Sequence, residues 1–167
     1  MNWDNYFLTL CNSIATKSPC LSRQIGSILV QDKSIVSTGF NGPPRGIPHC
    51  GYDRYDKDEN IRHLLVGHVF KSDICPRKLL NYPSGTHMEL CPAQHAEENA
   101  VSNAARNGVI TLGTTCYLNS VIPCSKCFGT LLNAGISEIV CVEDKLYDEQ
   151  AQFLINNSTI KIREFKL

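Results

Sequence analysis

The chain has 167 residues, 43% apolar and 19% charged, with sixteen basic and sixteen acidic side chains and no formal net charge. This is globular composition on the scale of one domain, 1–167, and it does not suggest a general affinity for the nucleic-acid backbone, a local basic patch aside. Nine cysteines, an odd number at irregular spacings, do not form a disulfide framework. The opening "MNWDNYFLTLCNSIATKS" shows no basic segment and no sustained apolar run, so neither a signal peptide nor a membrane span is expected. A reducing compartment follows: the cytoplasm, or a host's cytoplasm for a viral source.

Trp3, Phe7, Leu10 and Ile14 recur at helical spacing and predict an amphipathic helix over 2–17. "IGSILVQ" and "SIVSTGF", joined at "DK", read as a β-hairpin. "NGPPRGIPHCGYDRYDKDEN", rich in Gly, Pro and Asp, reads as loop, and "IRHLLVGHVF" as a short helix within a long irregular region, about 41–91. The pattern then becomes regular. "AQHAEENAVSNAARNG" predicts a helix ending at Gly108, "TTCYLNS" a strand, and "CSKCFGTLLNAG" a helix closed by Gly135. "SEIVCVE" predicts a strand, "YDEQAQFLINN" a helix and "STIKIREF" a last strand. A hairpin followed by α-β-α-β-α-β makes a mixed sheet with helices on its faces, an α/β fold. Cys11, Cys116 and Cys141 fall within apolar-periodic segments and are expected as core thiols.

Two of the predicted helices open on chemistry. One begins at His95-Ala96-Glu97, the other at Pro123-Cys124-Ser125-Lys126-Cys127. One His and two Cys give three N/S ligands for Zn²⁺ and leave a fourth tetrahedral position for water. A helix N-terminus favours thiolates, and Pro123 suits the entry to a first turn. Glu97, two residues from His95, is placed to work as a base beside the metal. Zinc lowers the pKa of a water to roughly 7, and Glu97 would carry protons between that water and a substrate. The pattern H-x-E…P-C-x-x-C is that of zinc deaminases. A closed structural zinc clasp, with Glu97 as a helix-start carboxylate, is the alternative.

Over nearly its whole length the sequence resembles deoxycytidylate (dCMP) deaminases of the prokaryotic and phage type. The resemblance runs through "PCLSRQIGSILV", "TGFNGPPRGIPHC", "YPSGTHMELCPAQHAEENA" and "IPCSKCFGTLLNAGI". It implies a three-layer α/β/α fold around a five-stranded mixed sheet, and the deamination of dCMP to dUMP for thymidylate synthesis. It implies His95, Cys124 and Cys127 as catalytic zinc ligands and Glu97 as the proton carrier. Arg23, Asn41, Ala96 and Tyr147 are implied as substrate-binding residues. "GFNG", that is Gly39, Phe40, Asn41 and Gly42, resembles a segment associated with allosteric nucleotides. The family pattern further implies a hexamer, dCTP as activator with Mg²⁺, and dTTP as inhibitor. Two stretches depart from the pattern: 51–74 is longer, and "YLNSVIPC" has one residue more.

Cys20, Cys50, Cys75, His87 and Cys91 form a second donor set without an obvious acid beside it, which suits a closed structural zinc. The resemblance supports such a site, with Cys20, Cys50, His87 and Cys91 as the first choice and Cys75 as an alternate. Ordinary reduced thiols are the bland reading. Competing functions are another deaminase of this scaffold, acting on dCTP, a free nucleoside or tRNA adenosine, and a non-catalytic zinc-stabilised binding module. Balanced charge counts against tRNA, and the intact Glu97 against the binding module.

Overall fold

The computed structural model describes residues 2–69 and 71–165. In chain order the elements are α1 (Trp3–Ala15), β1 (Gly26–Gln31), β2 (Ser34–Phe40), α2 (Tyr52–Lys57), α3 (Glu59–Leu64), α4 (Pro76–Leu79), α5 (Ala96–Arg106), β3 (Thr115–Leu118), α6 (Ser125–Asn133), β4 (Glu138–Cys141), α7 (Glu149–Asn156) and β5 (Lys161–Glu164). A 3₁₀ turn, Met88–Leu90, precedes α5. The described chain falls into two compact units. One runs up to Ser18, resumes over Ile25–Asn41 and continues from His95; the other holds Pro19–Gln24 and Gly42–Gln94.

The first unit contains the whole sheet, in strand order β2-β1-β3-β4-β5. The three strands β2, β1 and β3 pair antiparallel, and β3, β4 and β5 pair parallel. The hairpin turn at Asp32 and Lys33 places both residues in the left-handed region, φ 49° and 63°, the geometry that matches strand twist. Alternation along the strands sorts the core into two layers. Ile28, Val30, Tyr117 and Val140 face α1 and pack with Phe7, Leu8 and Cys11. Leu29, Cys116, Leu118, Ile139 and Cys141 face the other way, onto Ala100 and Ala104 of α5 and Phe128 and Leu131 of α6. The three expected core thiols are fully buried, in these two layers.

Two glycines set how close the helices come. A Cβ on Gly26 would overlap the Cys11 carbonyl of α1, and one on Gly39 would overlap the Ala96 carbonyl and Ala100 amide of α5. β2 and α5 therefore touch backbone to backbone, which needs glycine at that point. At the open end of the sheet, Arg163 of β5 forks onto Asp4 of α1 at 2.7 and 3.2 Å and reaches Glu138 of β4 at 3.1 Å. The Tyr117 hydroxyl donates to the same Asp4 carboxylate at 2.7 Å. Burial, and then Asp4, push that phenol up to about 12.

The second unit corrects two expectations. The stretch expected as loop contains α2, closed by an Arg54–Asp58 ion pair at 3.0 Å. The helix expected over 61–70 starts earlier, where Asp58 accepts from the Ile61 amide at 3.1 Å, and ends at Leu64. Gly67, at φ 86°, lies in the turns that follow, and Phe70 lies outside the described residues.

Candidate active site

His95 is the N-cap of α5 and Cys124 the N-cap of α6, while Cys127 lies in the first turn of α6. β2 and β3 are both antiparallel to the β1 between them and so run the same way, and α5, the next helix of this unit after β2, and α6, which follows β3, begin at the same end of the sheet. The Sγ atoms of Cys124 and Cys127 stand 3.5 and 3.2 Å from His95 Nδ1. All three donor atoms lie within 4.8 Å of one another. A tetrahedron built on Zn–N near 2.0–2.1 Å and Zn–S near 2.3 Å has N···S edges of roughly 3.5 Å and an S···S edge of roughly 3.8 Å. The donor set fits zinc.

The protonation chemistry fits as well. The Cys124 thiol is drawn down to about 4, first by a hydrogen bond from Cys127, with His95 adding to it. His95 is raised to about 8 by its bond with Cys124, and the Cys127 thiol is pushed up because it donates to Cys124. Zinc bound here would take the place of the protons that these donors otherwise carry. The Glu98 carboxylate accepts from the His95 amide at 3.1 Å and fixes the backbone at the start of α5. Glu97 is 5% exposed, and burial raises its carboxyl above the ordinary range. His95, Cys124 and Cys127 thus lie together within the first unit, with Glu97 buried two residues after His95.

A family model for the cytidine and deoxycytidylate deaminase zinc-binding region matches residues 1–143. The chain belongs to the cytidine and deoxycytidylate deaminase family. The deoxycytidylate deaminase of Mycobacterium phage D29 is 30% identical over 146 residues, covering 83% of this chain and 93% of its own. The deoxycytidylate deaminase of Saccharomyces cerevisiae is 30% identical over 164 residues, 98% of this chain but 45% of the yeast protein. The chain spans under half the length of the two fungal relatives it matches. A crystal structure of the dCMP deaminase from cyanophage S-TIM5, in complex with dCMP and dUMP, superposes with a TM-score of 0.65 at 16% identity. That alignment covers 96% of this chain and 95% of the phage protein, and the shared property is the fold.

The other residues expected at the deaminase site are distributed unevenly. Tyr147 stands edge-on to His95, ring centroids 6.4 Å apart at 69°. Ala96 is fully buried at the first position of α5. Asn41 is buried, and its side-chain oxygen accepts from the Ser18 hydroxyl at 2.7 Å and the Ile25 amide at 2.8 Å, so that oxygen is spent on the chain itself. Gly39 has a packing reason for being glycine, and Phe40 is exposed. Arg23 is exposed and belongs to the second unit, as does Gly42, which pairs with Gln94.

Within the second unit a small cavity of about 40 Å³ is lined by Cys20, Cys50, Cys75, Cys91 and His49. Arg54 donates to the Cys50 sulfur at 3.5 Å. His87 is elsewhere: it is exposed, stacks on Tyr82 at 3.7 Å and bonds Glu89 at 3.1 Å. Among the described residues, His95, Cys124 and Cys127 are the one group of three donors already within metal-binding reach of each other.

Sequence reasoning missed Glu98 and the full role of Asp148. Glu98 follows the N-cap by three residues, a capping-box spacing that was there to be read. Asp148 carries an ordinary N-cap signal for α7, but its second hydrogen bond, to the Ser125 amide at 2.9 Å, spans 23 residues and has no local signature.

Proposed function

We propose that this chain deaminates dCMP hydrolytically, consuming water and releasing dUMP and ammonia. The observation that carries the reading is the His95/Cys124/Cys127 trio with buried Glu97 at the start of the same helix. Zinc bound by the trio supplies Lewis acidity that brings a water's pKa to about 7. Glu97 would take the first proton of the attacking water and pass it to the ring nitrogen N3, then take the second from the new C4 hydroxyl and pass it to the departing amine, so that two protons are taken and two are returned. The apolar packing around Ala96 and Ala100 keeps that end of α5 dry, and the Tyr147 ring gives the base a wall beside His95.

The phage relative that aligns along most of both chains supports dCMP as substrate; the sequence resemblance offers Arg23 as partner of the 5′-phosphate. The test is the specificity constant for dCMP, dCTP, deoxycytidine and an adenosine-bearing tRNA stem-loop, with wild type and Arg23→Ala. Wild type should prefer dCMP. Arg23→Ala should cost roughly ten- to a hundredfold on dCMP, as expected for one charge-assisted bond, and little on deoxycytidine. Preference for deoxycytidine or the stem-loop overturns the reading. The same assay with dCTP and Mg²⁺, or with dTTP, tests activation and inhibition, and sedimentation tests the hexamer.

A second zinc, structural in role, belongs to the proposal. Its support is the cysteine-lined cavity, which replaces His87 by Cys75 or His49 in the ligand set. Elemental analysis should return two zinc ions per chain, falling toward one in Cys20→Ser. One zinc per chain, unchanged by that substitution, removes the second site.

A further inference from the structure

The loop after β4 runs beside the segment that delivers the metal-site cysteines. Val142 donates to the Ser120 carbonyl at 3.1 Å, Ile122 donates to the Lys145 carbonyl at 3.2 Å, and Val121 bridges Glu143 in parallel. Both segments end on one carboxylate. Asp148 Oδ1 accepts from the Ala151 amide at 2.8 Å, the ordinary N-cap bond of α7. Asp148 Oδ2 accepts from the Ser125 amide at 2.9 Å, the first N–H of α6.

The first turn of α6 is thereby tied to the loop after β4. Cys124, the N-cap, makes no side-chain cap bond of its own, and Asp148 takes the Ser125 N–H that follows it. A helix start leaves such donors without intrahelical partners, and here that partner sets the turn that carries both zinc-site sulfurs. The residue before Asp148 is Tyr147, whose ring meets His95. A simple N-cap would use one oxygen and would leave α6 and the tyrosine unconnected.

We propose that Asp148 is a positioning residue of the deaminase site, one carboxylate that caps α6 and α7 together. It holds the Cys124–Cys127 turn against His95 and fixes Tyr147 edge-on beside the imidazole. The inference rests on the zinc deaminase reading. It assigns Asp148 no contact with metal or substrate.

Two substitutions separate this from plain helix capping. Asp148→Ser keeps an oxygen able to cap α7 but not a second one for Ser125. Ser125→Pro removes only the donor: proline is favoured at a first helical position, and Cys124, at φ −61° and ψ 162°, already has the extended backbone a following proline requires. Full-length protein is loaded with Co²⁺, and the visible absorption and the rate of Co²⁺ loss to a chelator are followed, with kcat on dCMP. Each variant should shift the absorption, lose Co²⁺ about 10- to 100-fold faster and lower kcat, the scale seen for partners of metal ligands. The double variant should be no worse than the single ones, because both remove one interaction. Wild-type absorption and loss rate in both variants, or a change in only one, overturns the role of Asp148. A wild type that takes up no Co²⁺ at the trio overturns the deaminase reading itself.

Discussion

The Sγ of Cys127 lies 3.2 Å from Nδ1 of His95, although the two residues belong to different helices. Two helix starts meet there, and neither residue holds a metal alone. Replacing Cys127 or Cys124 by Ser should therefore remove the zinc held at the trio and ammonia release together, leaving the zinc of the second site in place. Metal content and rate, measured on one preparation, check the parallel.

Glu97→Ala should separate those two quantities. Glu97 is assigned proton transfer and no coordination, so zinc content should match wild type while turnover falls about 10²–10⁴-fold, the scale of one general acid–base group. Near-normal turnover, or loss of the metal, would remove the assignment.

Gly39→Ala should act at a distance from any ligand. Its methyl would enter the backbone of α5 at Ala96 and Ala100, adjacent to His95. Backbone cannot move aside as a flexible side chain can, so the cost should be about 2–3 kcal/mol or more, above the effect of an ordinary overpacked methyl. Thermal melting measures it, and zinc retention should fall with it because the start of α5 must shift.

The Asp4–Arg163 clasp should be visible as a pH dependence. The Arg163 guanidinium holds the Asp4 carboxyl below its ordinary value near 3.9, chiefly by direct hydrogen bonding, against the cost of burial. A carboxyl lowered in the folded state contributes its full stability above about pH 5 and loses it as pH falls through the folded value. The melting temperature of wild type minus that of Asp4→Asn should be constant from pH 7 to about 5 and shrink below about 4. Arg163 keeps 40% of its side chain exposed, so solvent limits the contribution to about 1–2 kcal/mol despite the forked geometry. A difference that grows toward acid would show the clasp to be irrelevant.

Much of this architecture is legible in the residues. The spacing of Trp3, Phe7, Leu10 and Ile14 gives α1, and the unbroken apolar run Ile28, Leu29 and Val30 gives a strand buried on both faces, with a layer on each side. His95, Glu97, Cys124 and Cys127 are readable because each sits beside a helix-start signal. What escaped is short or non-local. α2 has six residues, too few for a period, and the Gly and Pro before it imitate a loop. Gly39 looks like part of a ligand motif until α5 is seen lying on it. Asp148 signals one helix and serves two.

Burial of the three core thiols separates the cysteines chemically. Cys11 is pushed up to about 12 and Cys141 to about 11, with Cys116 raised too, each chiefly by desolvation. Near neutral pH almost none of their sulfur is thiolate, and none of it reaches solvent while the sheet is intact. An alkylating reagent can reach Cys11 only when the layer under α1 opens, and Cys116 and Cys141 only when the layer under α5 and α6 opens. Their modification is then a clock for the opening of each layer, Cys11 for the side of α1, and Cys116 and Cys141 for the side of α5 and α6.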